Sequence, residues 1–80
     1  MIKRELKTNG LQKSFYGKAF VWICSEGSEI LQSYNTKVLK RKADGTLVRL
    51  WDGWSMTTGR HIRAYCALNK KEYMALPYEA

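Results

Sequence analysis

Residues 47–61, Leu-Val-Arg-Leu-Trp-Asp-Gly-Trp-Ser-Met-Thr-Thr-Gly-Arg-His, constrain the fold more than any other stretch, because they predict a change from sheet to helix. The first five residues have the β-branched and aromatic make-up of a short strand, and the Asp-Gly pair that follows is a turn signal. Ser55, Thr57 and Thr58 offer side-chain oxygens that can cap a helix extending to about Leu68. The chain must therefore combine β and α structure.

A chain of 80 residues has room for one hydrophobic core, so we treat residues 1–80 as one domain with a sheet part over 14–52 and a helical part over 55–76. A hydrophobic fraction of 45%, with three Trp, five Tyr and two Phe, indicates a packed core and not a disordered chain. Two of those tryptophans, Trp51 and Trp54, flank the junction. We interpret them as anchors between helix and sheet, with ligand stacking as the alternative.

Alternation with a period of two predicts the first strand over residues 15–24. The odd-numbered side is small and aliphatic and suits packing beneath a helix. The even-numbered side carries three rings and a lysine: Tyr16, Lys18, Phe20 and Trp22. Residues 26–27, Glu-Gly, are predicted as a two-residue hairpin loop that returns residues 29–34 as the second strand, with Trp22 opposite Leu31.

A third strand is predicted over residues 37–42, and Asp44-Gly45 is the clearest hairpin signal in the chain. A two-residue loop there places Lys40 opposite Arg49, whereas a three-residue loop changes that pairing. Like charges on opposite positions cost stability, and they are tolerated more easily where they point to water or to a bound anion. With the two-residue loop, we therefore expect this pair to point either to water or to a bound anion.

The helix is expected to place Ile62, Tyr65 and Cys66 against the sheet, with His61 and Leu68 at the edge of that side. The outer side forms a basic stripe, interpreted either as a solvated surface or as a contact surface: Arg60, Arg63, Ala67 and Lys70. The same helix thus serves the core on one side and presents positive charge on the other.

The predicted fold class is α+β, a four-stranded antiparallel sheet of two hairpins packed by one main helix and a short C-terminal helical turn. Asn69 is expected to end the main helix in the left-handed conformation, and the turn over residues 70–76 is expected to stop at Pro77. Residues 1–13 fit a helical turn, a hairpin turn or a flexible basic arm, and the sequence does not choose among them.

The net charge of +7, from fourteen Lys and Arg against seven acids, favours polyanionic partners, with nucleic acid the first candidate. Cys24 and Cys66 lie far apart and the chain has one His, so we expect no zinc site, no other metal and no cofactor. No apolar signal region opens the chain and no apolar run approaches membrane length. We expect a cytoplasmic protein without a membrane partner.

The sequence offers little for catalysis, so we name no catalytic residue and expect the protein not to be an enzyme. It has no Gly-rich phosphate loop and no nucleophile with a base at a recognisable spacing. His61 is interpreted as a structural or surface residue, and Cys66 as buried packing. A metal-dependent nuclease built on Asp44 and Asp52 is the enzymatic alternative, although acids on turns are usually turn residues.

The strongest functional pattern mixes aromatic rings with cations on the predicted sheet. Positive charge follows a phosphate backbone, and flat rings accept unpaired bases by stacking, which is worth about 1–3 kcal/mol per base. The candidate nucleic-acid-binding residues are Tyr16, Lys18, Phe20, Trp22, Lys40, Lys42, Arg49, Arg60 and Arg63. A second copy of the chain is the alternative occupant, because four strands with one helix leave one face of the sheet to spare.

Four motifs carry a resemblance that covers roughly residues 14–77: Ser14-Phe15-Tyr16-Gly17-Lys18-Ala19, Ser33-Tyr34-Asn35-Thr36, residues 49–55 and residues 57–62. In these motifs the chain resembles small uncharacterised proteins carried by phages and mobile elements of gut Gram-positive bacteria. The resemblance transfers no activity and no functional residue. It implies a context in which short proteins often bind nucleic acid or counteract host defence. The order of four strands and a helix also resembles the single-stranded-DNA-binding coactivator fold, which dimerises through its helix.

We therefore expect a non-enzymatic, homodimeric protein of phage or mobile-element origin that binds single-stranded DNA or RNA. The alternative is an anti-defence protein, such as an anti-CRISPR inhibitor, that contacts a host defence protein directly. In the simplest remaining interpretation, the aromatic and basic residues only build a homodimer.

Overall fold

Two helices pack on one face of a five-stranded antiparallel sheet in the computed structural model, which describes residues 2–6 and 18–79. The strands follow chain order across the sheet. They are β1 (Ile2–Glu5), β2 (Ala19–Ile23), β3 (Glu29–Ser33), β4 (Thr36–Arg41) and β5 (Leu47–Arg49), and the helices are α1 (Met56–Cys66) and α2 (Lys70–Met74). The α+β class is confirmed, but the sheet has one strand more than predicted, and the predicted C-terminal turn is a second helix.

The additional strand comes from the N-terminal residues that the sequence left open. β1 pairs antiparallel with β2, and Arg4 lies opposite Val21. The N–H of Leu6 then donates to the carbonyl of Ala19 at 2.9 Å, and the Leu6 side chain is buried. Four residues carry too short a pattern to identify a strand, and here the pairing with β2 decides the structure. Two parts of the sequence prediction lie outside the described residues: the candidate site residue Tyr16 and residues 7–13 of the N-terminal arm.

Both hairpin registers differ by one residue from the prediction. Trp22 lies opposite Ile30 and not Leu31. Lys40 lies opposite Val48 and not Arg49. A register shift of one residue places a side chain on the opposite face of the sheet from its expected neighbours. The shift therefore changes which cations lie on the same face as the rings.

The shared cause is a three-residue loop in each hairpin. The loops end in Gly27 and Gly45, whose φ angles are +98° and +93°. The Gly27 N–H donates to the Cys24 carbonyl at 3.0 Å, and the Gly45 N–H donates to the Lys42 carbonyl at 2.8 Å. Glycine adopts this left-handed backbone without steric cost, and a turn that ends in such a residue adds one position to the loop. The third residue of each loop accounts for the shift.

The core lies on what we call the first face of the sheet, whose central buried residues are Ala19, Val21, Leu31 and Leu39. Ile62 of α1 and Tyr73 of α2 pack onto this cluster. The odd-numbered side of β2 therefore packs beneath the helices, as predicted. A β-bulge opposite Leu31 and Gln32 leaves Val38 without a register partner on β3, and both Val38 and Leu39 are buried in the core.

Helix α1 begins where the serine cap was predicted and ends earlier than expected. The Ser55 side chain accepts a hydrogen bond from the Thr58 N–H at 3.1 Å. Ile62 is buried, while Tyr65 and Cys66 are partly buried on the same side, as predicted. Ala67, with φ of +61°, ends the helix, and its N–H donates to the Arg63 carbonyl at 2.9 Å.

Asn69 was predicted to end α1, but it caps the start of α2 instead. Its side chain accepts from the Glu72 N–H at 2.8 Å, and the Glu72 carboxylate accepts from the Asn69 N–H at 3.1 Å. This reciprocal pair is a capping box, in which two otherwise free amides are satisfied. Helix α2 delivers Tyr73, whose hydroxyl lies 2.6 Å from the Val38 carbonyl and 3.0 Å from the Trp51 carbonyl. The phenol thereby ties α2 to the sheet and to the junction.

The two junction tryptophans pack against the core, which agrees with their interpretation as anchors. The rings of Trp54 and Tyr73 lie with their centroids 5.7 Å apart. Beyond α2 the chain returns to β5. There the Arg49 N–H donates to the Pro77 carbonyl at 2.7 Å, and the Glu79 N–H donates to the Arg49 carbonyl at 2.8 Å. The C-terminal segment thus covers the outer edge of β5.

Candidate functional site

The face of the sheet opposite the helices carries the predicted rings, and we call it the second face. The strand registers define it as two rows across the sheet. One row is Lys3, Trp22, Ile30, Lys40 and Val48, and the other is Phe20, Gln32 and Lys37. None of Phe20, Trp22 and Ile30 belongs to the core cluster on the first face, although all three are partly buried. The second face therefore has its own composition, in which two rings and three lysines accompany Ile30, Gln32 and the buried Val48.

Lysine ammonium groups lie over both rings of the second face. Lys3 Nζ is 4.1 Å from the ring centroid of Phe20 and 5.1 Å from that of Trp22. Lys37 Nζ is 5.9 Å from the Trp22 centroid on the neighbouring side. A cation within about 6 Å of a ring centroid is attracted by the negative face of the ring. The rings and the lysines thus form one contiguous surface.

Gln32 fixes the orientation of the Trp22 indole. Trp22 Nε1 donates to Gln32 Oε1 at 2.7 Å, and Gln32 Nε2 donates to the Tyr34 carbonyl at 2.6 Å. Tyr34 itself stands in the turn between β3 and β4 with φ of +56°. The indole N–H is therefore satisfied within the sheet, and its ring is held in a defined position between Lys3 and Lys37.

The bulge in β4 brings Lys37 and Lys40 onto the same face although three positions separate them. In a regular strand, residues three apart point to opposite faces. Here Val38 is the extra residue, so that Lys37 lies opposite Gln32 and Lys40 opposite Ile30. The second face gains a cation through an irregularity that alternation does not predict.

Three of the nine predicted site residues come together on the second face: Phe20, Trp22 and Lys40. Lys42 follows β4 and forms an ion pair with Glu79, Nζ to carboxylate oxygen 2.7 Å, which raises the pKa of its ammonium. Lys18 precedes β2, is exposed, and holds its Nζ 6.0 Å from the Tyr34 ring centroid. Tyr16 lies outside the described residues.

Arg49 lies on the first face, which corrects its predicted place beside Lys40. The three-residue loop is the reason, because it pairs Arg49 with Leu39. Arg49 Nε donates to the Leu76 carbonyl at 2.9 Å and its Nη1 donates to Asp52 at 3.1 Å. Its side chain is only 12% exposed. These contacts connect β5 to the chain that follows α2, so the guanidinium serves the fold.

Arg60 and Arg63 are exposed on the outer side of α1, as the basic stripe predicted. Because α1 packs on the first face, the sheet separates these two arginines from the rings. The sequence therefore grouped cations from two sides of the molecule into one candidate set.

Two residues of the second face were missed, namely Lys3 and Lys37. Lys3 belongs to the N-terminal stretch that the sequence left open, and only its pairing opposite Trp22 reveals it. Regular alternation from Lys37 predicts that this lysine lies on the opposite face, and the bulge corrects that prediction. A signal for Lys37 existed in the two consecutive apolar residues, Val38 and Leu39, since a bulge allows both to enter one core.

A buried polar cluster joins β3 to α1 on the first face. The Ser33 hydroxyl lies 2.8 Å from His61 Nδ1 and 2.9 Å from the Thr58 hydroxyl. Burial, with a smaller contribution from the positive charge of Lys18, lowers the pKa of His61. Serine beside histidine is a pairing that nucleophilic enzymes use, but His61 is 1% and Ser33 2% exposed, so this pair is closed to a substrate in this conformation.

The two turn acids that could have served a nuclease have local partners. Asp44 accepts from the Thr46 N–H at 2.9 Å, and that bond lowers the pKa of its carboxyl. Asp52 accepts from Arg49. Among residues 2–6 and 18–79 no group of three or more His, Cys, Asp or Glu is arranged to hold a metal ion. In the same part of the chain, neither helix has the length and apolar character needed to cross a membrane.

The match to known proteins is at the level of a family. The sequence profile of a family of unknown function, DUF8033, matches residues 4–78, which include both helices and all but the start of the sheet. No curated protein and no solved structure matches the chain. The expected kinship with uncharacterised proteins is confirmed to that extent. Since the matched region spans nearly the whole sequence, the chain belongs to the DUF8033 family of unknown function.

Proposed function

We propose that this protein binds single-stranded nucleic acid through the second face, without catalysing a reaction. The observation that carries the proposal is the pair of rings on the side of the sheet away from the helices, each with a lysine ammonium over it. Trp22 and Phe20 would stack bases, and Lys3, Lys37 and Lys40 would contact phosphates. Proteins that bind single strands without sequence preference combine these two elements.

The magnitudes favour a base over an ammonium as the occupant of each ring. An exposed cation–π contact contributes about 0.5–1 kcal/mol, whereas stacking a base on an aromatic side chain contributes about 1–3 kcal/mol. A base can therefore displace Lys3 from the ring of Phe20. The displaced ammonium then lies close to the phosphate that follows the stacked base, where it regains an electrostatic partner.

The spacing of the rings selects an extended strand. Phe20 and Trp22 are two positions apart in β2, so their Cα atoms are separated by about 7 Å at the strand rise of about 3.4 Å per residue. Stacked bases in a duplex are about 3.4 Å apart along the axis and are also paired. Only an unpaired, unstacked strand can place successive bases on both rings, so we propose a preference for single strands over duplex.

The net charge of +7 supports a polyanionic partner at longer range. On the second face, Lys3, Lys37 and Lys40 add local positive charge beside the rings. Because binding releases the cations condensed on the nucleic acid, the affinity is expected to fall steeply as salt is added.

We also propose a phage or mobile-element origin and a cytoplasmic location, on the strength of the resemblance in residues 14–77. Within that context, direct contact with a host defence protein is the second candidate function. A pull-down from nuclease-treated host lysate separates the two, since a partner kept without nucleic acid favours protein contact. The proposed homodimer is tested by light scattering of the isolated protein.

The proposal is tested by titrating a fluorescently labelled thymine oligonucleotide at low ionic strength and measuring anisotropy. Trp22→Ala is expected to weaken binding about tenfold, which corresponds to about 1.4 kcal/mol, within the range for one stacked base. Tyr78→Ala is the matched control, because Tyr78 is an exposed ring outside the second face. The proposal fails if the wild-type protein does not bind, or if both variants bind equally well.

A further inference from the structure

The two edge strands of the sheet, β1 and β5, differ in whether other backbone segments pair with their outward N–H and C=O groups. The C-terminal segment covers β5, through backbone hydrogen bonds to Arg49. At the other edge, the hydrogen bond from Leu6 to Ala19 fixes the alternation of β1, in which Arg4 and Ile2 face β2. The N–H and C=O groups of Lys3 and Glu5 therefore point outward. No strand among residues 2–6 and 18–79 pairs with them.

A groove of about 260 Å³ lies beside this edge on the first face. Its apolar lining comes from Leu6, Val21, Ile23 and Ala64, and Arg4, Glu29 and Tyr65 add polar groups. The groove exists because α1 packs chiefly over β3 and leaves the first face of β1 and β2 incompletely covered. A strand added to β1 would direct every second side chain toward this groove.

Positive charge dominates the polar groups around the edge. Lys3 and Arg4 are both exposed and point to opposite faces of β1. The Glu29 carboxylate already accepts a hydrogen bond from the Tyr65 hydroxyl at 2.7 Å, and the Arg41 guanidinium lies 5.2 Å from the Tyr65 ring centroid. The arrangement complements acidic side chains on an incoming strand.

We propose that β1 is a docking edge for an extended acidic segment of another protein, which adds to the sheet as a sixth strand. Its backbone would pair with the outward groups of Lys3 and Glu5. Apolar side chains would enter the groove, and acidic side chains would lie opposite Arg4 and Lys3. The incoming strand contacts the edge and the groove on the first face, and of the second-face residues it meets only Lys3. The proposal therefore goes beyond the proposed nucleic-acid binding and does not rest on it.

A second copy of the chain fits this edge poorly. Antiparallel pairing of β1 with itself, through its outward groups, requires a two-fold axis at Lys3, Arg4 or Glu5. An axis at Lys3 or Glu5 places that charged residue directly opposite its own copy, and like charges on opposite positions are destabilising. An axis at Arg4 pairs Lys3 with Glu5 but still sets the two Arg4 residues opposite each other. A strand with an acidic residue opposite Arg4 avoids that repulsion, so we take the occupant to be a chain of different composition.

The register specifies the incoming sequence. In an antiparallel strand, the residues opposite Leu6, Arg4 and Ile2 point to the first face, and those opposite Glu5 and Lys3 point to the second face. The matching order is apolar, neutral, acidic, acidic, apolar. The peptide acetyl-Val-Thr-Glu-Glu-Val-Thr-amide follows that order, and its Lys-Lys counterpart is the matched control.

The test is an NMR titration of the ¹⁵N-labelled full chain with each peptide. The Glu-Glu peptide is expected to shift the amide signals of Lys3 and Glu5, slow their hydrogen exchange, and bind about tenfold more tightly than the Lys-Lys peptide, since two cross-strand charge pairs change sign. Arg4→Glu is expected to reduce or reverse this preference. Unchanged signals from β3 and α1 in that variant establish that it is folded.

The proposal is overturned if neither peptide shifts the β1 amides, if both bind equally, or if Arg4→Glu leaves the preference unchanged. Arg4 lies outside the second face, so the same variant is expected to bind the thymine oligonucleotide with nearly unchanged affinity. Loss of peptide binding with intact oligonucleotide binding would therefore separate this inference from the proposed function, and the reverse result would do so too.

Discussion

The two faces of the sheet use similar residue types for different purposes. On the first face, rings and polar groups contact other parts of the chain: the Tyr73 hydroxyl reaches two carbonyls, and Arg49 binds Leu76 and Asp52. On the second face, the cations Lys3 and Lys37 contact rings. The difference indicates that the part of the first face beneath the two helices is satisfied by folding, whereas the second face keeps groups that a ligand can engage.

The comparison is sharpened most by truncating two neighbours in β3. Leu31 is fully buried on the first face, while Ile30 is partly buried on the second. Leu31→Ala is expected to lower the free energy of unfolding by about 3 kcal/mol, because it removes packed methyl groups and leaves a cavity. Ile30→Ala is expected to cost about 1 kcal/mol. Urea denaturation measures both, and equal losses would mean that the second face also supports the core.

Gly59 offers the next largest effect. A Cβ at this buried position of α1 would lie 2.5 Å from Trp54 Cζ2. Alanine normally stabilises a helix interior by about 1 kcal/mol relative to glycine, but here the ring must move, and we expect Gly59→Ala to destabilise by about 1–3 kcal/mol. Thr57→Ala, at an exposed position in the same helix, is the control. A stabilised Gly59→Ala protein would contradict the described packing of Trp54.

The salt dependence of binding distinguishes the second face from the outer side of α1. If Lys37 contacts a phosphate, Lys37→Gln reduces the slope of log affinity against log salt by about 0.7 for a single strand. Arg63→Gln is expected to leave the slope unchanged, because α1 lies on the other side of the sheet. The measurement is anisotropy at several salt concentrations. Equal reductions in both variants would show that the predicted arginine stripe shares the interface.

The smallest effect concerns pH. Burial lowers the pKa of His61 in the folded protein, while the unfolded chain titrates near the ordinary value of about 6.5. As the pH falls below that value, the unfolded chain takes up the proton first, so stability present above pH about 6.5 is lost progressively toward the folded-state pKa. Urea denaturation at about pH 7.5 and about pH 5.5 tests this. His61→Gln should lose most of that difference, and a wild-type protein more stable at the lower pH would contradict the sign.

Composition and alternation were sufficient to predict the α+β class, the ring-bearing side of β2 and the helix begun by Ser55. Those features depend on neighbours in sequence. The failures depend on contacts distant in sequence or on single backbone angles. β1 forms because it pairs with β2, where Arg4 lies opposite Val21. The registers of the two hairpins follow from the left-handed φ angles of Gly27 and Gly45. Lys40 lies on the ring-bearing face and Arg49 does not, because the two-residue loop that would pair them is one residue too short.

The most direct test of the central claim is an NMR footprint of a thymine oligonucleotide on the ¹⁵N-labelled protein. The account predicts that signal changes concentrate on the second face, in the amides of Lys3, Phe20, Ile30 and Lys37 and in the indole N–H of Trp22. Amides along α1, including Arg60 and Arg63, should change little. Changes confined to α1, or none at low ionic strength, would contradict the assignment of the second face as the binding surface.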